Sequence, residues 1–131
     1  MKRYVADTHA ILWYASGSRK LGPAAARVFE GMGATTEVCV SSISLWEIAL
    51  LYELGRIELP RGYAAWCDAL ERQPGIRIEP LFADDVDAAR ALGTVADPYD
   101  RLIAGTALRL GAPLLSRDLR LRKDRRIRVV W

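Results

Sequence analysis

Histidine occurs once in this 131-residue chain and cysteine only twice. A lone imidazole, His9, excludes acid–base chemistry by a histidine pair, and His9 reads more simply as a polar residue lining the start of the first helix. Cys39 and Cys67 stand far apart in apolar surroundings, matching neither a disulfide framework nor a zinc pattern. Buried free thiols in a reducing compartment are therefore expected. No run approaches the ~20 apolar residues of a membrane span. The opening MKRYVADTH has no apolar signal core, so a cytoplasmic protein without membrane contact is expected. The glycines assemble neither GxGxxG nor a P-loop, which removes the main support for dinucleotide and ATP sites. Internal repeats and low-complexity segments are also missing.

What is present is an ordinary globular mixture, 51% hydrophobic and 27% charged. Its length suits a single domain, residues 1–131, able to bury a full core without disulfides or a structural metal. The net charge is +3, and it is unevenly placed. Arg117 to Arg128 holds seven basic and two acidic residues, a local +5 that leaves the rest at −2. A basic edge on a near-neutral body suits a polyanion, and a solvated tail has the same composition.

Helix and strand signals alternate. Strands are expected at Arg3 to Ala6, Glu37 to Val40, Ile76 to Ile78, Pro113 to Leu115 and Ile127 to Trp131. Helices are expected at Ala10 to Tyr14, from Gly22-Pro23 through Met32, from the caps Ser41 to Ser44 through Leu54, at Tyr63 to Arg72, and at Asp84 to Leu92 with Asp84 as cap. Asp97-Pro98 is an N-cap and N1 proline, followed by the stripe Leu102, Ile103, Thr106, Ala107 and Leu110, with Gly111 as the stop. Strands separated by helices imply a mostly parallel sheet covered on both faces.

In such a sheet ligands gather beyond the carboxyl ends of the strands. Asp7 and Asp118 directly follow strands. Glu47 and Asp100 lie in the first turns of helices opening toward the same edge. Four carboxylates there would repel one another unless a divalent cation held them, and hard oxygen donors suit Mg²⁺ or Mn²⁺. Each acid also has a local reading. Asp7 can cap the next helix, as can Thr8. Glu47 can close a capping box with Ser44. Asp97 suits an N-cap better than a ligand, Asp100 suits a helix dipole, and Asp118 suits a turn.

The blocks Tyr4-Val5-Ala6-Asp7-Thr8-His9 with Leu12-Trp13, Ser41-Ser42-Ile43-Ser44-Leu45-Trp46-Glu47-Ile48, Asp97-Pro98-Tyr99-Asp100-Arg101-Leu102-Ile103-Ala104 and Leu114-Leu115-Ser116-Arg117-Asp118 come in one order across nearly the whole chain. Together they resemble the motifs of PIN-domain proteins, above all the small bacterial VapC-type toxins of toxin–antitoxin pairs. The resemblance implies a three-layer α/β/α fold and a metal-dependent endoribonuclease. It places the catalytic, metal-holding acids at Asp7, Glu47, Asp100 and Asp118, with Ser116, Asp97, Arg101 and Thr8 in support. Arg101 either contacts phosphate or pairs with Asp97. Relatives often carry a His before the third block, where this chain has Gly93-Thr94-Val95-Ala96. With Mg²⁺ or Mn²⁺ activating a water, 5′-phosphate and 3′-hydroxyl products are expected.

Arg117, Arg120, Arg122, Lys123, Arg125 and Arg126 follow as a candidate RNA-binding rim beside the acids. Apolar residues between Trp46 and Trp66 (Leu50, Leu51, Tyr52, Leu54, Tyr63) exceed the needs of one core face, and suit a homodimer surface or a groove for an antitoxin. Two other classes compete. One is a PIN-like module that binds RNA or protein without cutting. The other is an Asp-based phosphotransfer domain, which needs a second acid beside Asp7 and a strand-end Lys, both missing.

Overall fold

The computed structural model describes residues 1–131. Five strands, β1 (Lys2–Ala6), β2 (Thr36–Ser41), β3 (Ile76–Glu79), β4 (Leu114–Leu115) and β5 (Val129–Val130), form one sheet in the order β3-β2-β1-β4-β5. Every pairing is parallel. The helices are α1 (Thr8–Ser16), α2 (Pro23–Glu30), α3 (Ser42–Glu53), α4 (Tyr63–Arg72), α5 (Ala83–Arg90) and α6 (Pro98–Leu110), with a 3-10 turn at Leu121–Lys123. None is long and apolar enough to cross a membrane.

Side-chain alternation along the strands builds the three layers. Ala6, Val38, Val40 and Leu115 face one way, into a core with Ala10, Ile11, Phe29, Ile48 and Leu70 from α1 to α4. Val5, Cys39 and Leu114 face the other way, onto Ile103, Ala104 and Ala107 of α6, with Leu92, Val95, Leu121 and Ile127. Helices α5 and α6 touch backbone to backbone. A Cβ on Gly105 would stand 2.4 Å from the Asp85 carbonyl oxygen, so only glycine fits there.

A charged ladder closes the second face. Arg3 Nε lies 2.8 Å from Glu37, Arg77 reaches both Glu37 (3.7 Å) and Glu79 (3.2 Å), and Arg109 joins Glu79 (2.8 Å) to Asp85. Asp85 is fully buried and Glu79 is 2% exposed.

Local expectations are corrected at a few ends. Asp84 is not the cap of α5. Phe82 holds that position, and the Asp85 carboxylate turns back to accept its N–H at 3.0 Å. Ser44 and Glu47 do not form a capping box, because α3 starts earlier, at Ser42, with the Ser41 hydroxyl accepting the Ile43 N–H at 3.2 Å. Only two residues of the last expected strand pair with the sheet, through Leu114 N–H to Arg128 and Ser116 N–H to Val130. Cys39 is buried as expected, but Cys67, in the middle of α4, is only half-buried.

Candidate active site

The strand order reverses at β1, which has β2 on one side and β4 on the other. That switch point opens a crevice beyond the strand ends. Asp7 and Ser116 leave β1 and β4 there side by side, tied by the Asp7 N–H to the Leu115 carbonyl at 3.0 Å.

Asp7 caps α1, its Oδ1 accepting the Ala10 N–H at 2.8 Å. Burial pushes its carboxyl above the ordinary range, and hydrogen bonds from Ser116 and the Ala10 amide pull back. The next residue, Thr8, is buried and donates its hydroxyl to Glu47 Oε1 at 2.6 Å, with Ser44 Oγ at 3.1 Å. That contact fastens α1 to α3 and orients Glu47, whose carboxyl is raised by burial, opposed by Thr8, and raised again by the charge of Asp97.

Asp97 caps α6, taking the N–H groups of Tyr99 (2.8 Å) and Asp100 (3.1 Å). Asp100 in the first turn is the focus of the cluster. Burial, then the charges of Asp97, Asp7, Glu47 and Asp118, push its carboxyl up to about 7. Asp118 differs from the others. Arg120 grips it with Nε at 3.2 Å, Nη2 at 3.1 Å and its own backbone N–H at 2.9 Å, which holds its carboxyl below the ordinary range. Ser116, fully buried, accepts the Asp118 N–H at 3.0 Å.

The acids picked out in the sequence thus lie within one another's field around one crevice. No three of them close into a finished cation cage as the side chains stand. An open set of hard oxygen donors fits Mg²⁺ or Mn²⁺ nonetheless, because such ions keep several waters and take one or two carboxylates plus substrate phosphate.

Arg101 does not pair with Asp97. Its guanidinium donates to the Ala89 (3.2 Å) and Arg90 (3.3 Å) carbonyls, capping the end of α5 and locking it to α6. His9 is exposed on α1, its ring 5.4 Å from that of Trp13. Two contacts escaped the reading of the chain, the Arg120 clasp and the Thr8–Glu47 bond. The first has a legible signal, an Asp-x-Arg turn repeated at Asp124-Arg125-Arg126, where Arg126 Nη2 lies 2.6 Å from Asp124. The second spans 39 residues and has none.

The field on Asp100 gives a first test. Asp97→Asn keeps an oxygen to cap α6, and Asn caps about as well as Asp. It removes the strongest neighbouring charge, so the Asp100 carboxyl should titrate at lower pH than the parent's value near 7. Carboxyl NMR on the metal-free variant reads the midpoint directly, and an unmoved midpoint would remove Asp97 from its causes, leaving burial and the charges of Asp7, Glu47 and Asp118.

Comparison with known proteins agrees with this geometry. The PIN-domain family model matches residues 4–126. Ribonuclease VapC22 of Mycobacterium tuberculosis is 33% identical over 134 residues, with both chains covered completely. A chain in the crystal structure of VapBC2 from Rickettsia felis bound to a promoter DNA fragment superposes with a TM-score of 0.72 at 16% identity, covering 97% of this chain and 96% of that one. A chain in DNA-bound VapBC from Salmonella typhimurium gives 0.70 at 22% identity, covering 98% and 97%. With the motifs, the acid crevice at the switch point and the end-to-end match in agreement, the chain belongs to the PIN-domain family.

Proposed function

We propose that the protein is an endoribonuclease toxin of a toxin–antitoxin pair, using a divalent cation held by Asp7, Glu47 and Asp100, with Asp118 joining when Arg120 releases it. The observation that carries this is Asp100, a partly buried carboxyl facing four other acids at the sheet's switch point. A cation there would supply charge for the scissile phosphate and acidify a water. The chain's own residues set the stage. Thr8 fixes the rotation of Glu47 Oε1, and the α1 and α6 termini hold Asp7 and Asp97 in place. Exposed Trp46, Tyr52 and Leu54, on α3 and just past its end, support a surface for an antitoxin or a second copy.

Purified protein should cleave RNA with Mg²⁺ or Mn²⁺ and stop with EDTA. A chain that binds RNA but never cuts it with either ion would instead be the non-cutting PIN-like module.

The basic segment supplies the second test. Arg120 and Arg126 are taken by Asp118 and Asp124, whereas Arg122, Lys123 and Arg125 make no ion pair. Lys123 and Arg125 line a groove of about 720 Å³ with Thr94, Arg120 and Asp124, without one apolar side chain. On single-stranded RNA each neutralised phosphate adds about 0.7 to the slope of log affinity against log salt. Changing Arg122, Lys123 and Arg125 together to Ala should flatten the slope by up to about two units. Titration of an Asp7→Asn protein, with and without the triple change, measures it. An unchanged slope would mean a merely solvated segment.

A further inference from the structure

Apart from that groove, three cationic or imidazole side chains crowd one indole. The Arg117 guanidinium carbon lies 4.8 Å from the centre of the Trp13 ring, Lys20 Nζ lies 5.9 Å away, and His9 packs at 5.4 Å. The indole itself is braced. Trp131 meets it edge-on at 5.7 Å, and Trp131 in turn presses on Gly22, where a Cβ would stand 2.6 Å from it. Arg117 is exposed and makes no ion pair. In a chain whose neighbouring Arg120 and Arg126 are both clasped by Asp, that leaves its donors open to solvent while the ring fixes its position.

We propose that Trp13 is a positioning residue that presents Arg117 to a backbone phosphate of single-stranded RNA, beside the acidic crevice. Arg117 stands between Ser116 and Asp118, so a phosphate it binds lies next to the acids. Trp13 is six residues beyond Asp7 on α1, a rise of about 9 Å, which suits a neighbouring phosphate rather than the one cut. Together with the Lys123–Arg125 groove, this gives the strand a second cationic hold near the acids, whose own charge repels it. The stacked guanidinium offers a planar fork to phosphate without first having to be ordered. The inference rests on RNA being the substrate.

The test uses the full chain in the Asp7→Asn background, a mixed-sequence single-stranded RNA probe and a salt series. Arg117→Ala should weaken binding roughly threefold to tenfold at low salt and lower the slope by about 0.7. Trp13→Leu, which removes no charge, should reproduce most of that loss, and Trp13→Phe, which keeps an aromatic face, should restore it. The double variant Arg117→Ala with Trp13→Leu should bind no worse than Arg117→Ala alone, since Trp13 acts through Arg117. Additive losses, or an Arg117→Ala protein with the parent's slope, would overturn the proposal. Arg117 is exposed, so its variant folds even where Trp13→Leu does not, and the slope then decides alone. Absence of cleavage by the unmodified protein, with the Arg117 effect intact, would count against the nuclease reading and not against this one.

Discussion

Asp100→Asn should give a protein that no longer cuts RNA and yet unfolds at a higher temperature than its parent in EDTA at pH 8. If Asp100 holds the cation as proposed, the loss of activity should exceed the roughly 10–100-fold that removing an outer-shell partner of a metal costs, because a direct oxygen ligand would be gone. The gain in stability follows from the carboxyl being pushed up to about 7. An acid whose folded pKa lies above its unfolded value binds more protons when folded. Stability is therefore full below the unfolded pKa and declines as pH rises toward 7. At pH 8 the parent carries that whole penalty. From Asp100 alone it is at most about 4 kcal/mol before solvent screening of a partly buried group reduces it. Asp7 and Glu47 are shifted in the same direction, and Asp118 in the opposite one. Asn removes the Asp100 share, so the melting gap between variant and parent should be wide at pH 8 and clearly narrower at pH 5. Calorimetry at the two pH values checks this. Cleavage at the parent's rate would remove Asp100 from the site.

The second large effect lies away from the chemistry. Arg109→Leu should cost about 3–5 kcal/mol, because removing one partner of a buried ion cluster strands the others without compensation. The stranded groups are Asp85, fully buried, and Glu79, 2% exposed, with only Arg77 left to meet the latter at 3.2 Å. The leucine fills part of the volume but offers no donor. Urea unfolding should show a midpoint far below the parent's at unchanged slope, and the melting temperature should fall by more than about 10 °C. A change under about 1 kcal/mol would show that water already reaches the pair. Because α5 and α6 also carry Asp97 and Asp100 to the crevice, activity should fall in step with the folded fraction and no further.

The general plan was readable because it is written in local chemistry. Asp97-Pro98 at the start of α6 and the short buried apolar runs of the strands each declare their element within a few residues. The four acids were readable for the same reason, each lying just past a strand or inside a first turn. Errors arose where two local solutions compete, as with Asp84 against Asp85 at α5 and Ser41 against Ser44 at α3. There tertiary contacts decide. Asp85 is drawn inward by Arg109, and Ser44 stands beside Thr8. What left no trace in the sequence is contact across long separations. Trp13 meets Arg117, Arg109 meets Glu79, and Arg101 reaches carbonyls of another helix where an ion pair with Asp97 had seemed as natural.

The ladder of charges from Arg3 to Asp85 also bears on how the molecule avoids its own kind. An open parallel sheet exposes unpaired backbone at both borders, and bare borders invite another chain to add a strand. Here β3 forms one border, only four residues long, with Arg77 in its middle and Pro80 just beyond it. The opposite border, β5, has two residues and is flanked by Arg128. A strand laid against either would find little length to grip. A continuous sheet running from one copy into the next is thereby disfavoured at both borders.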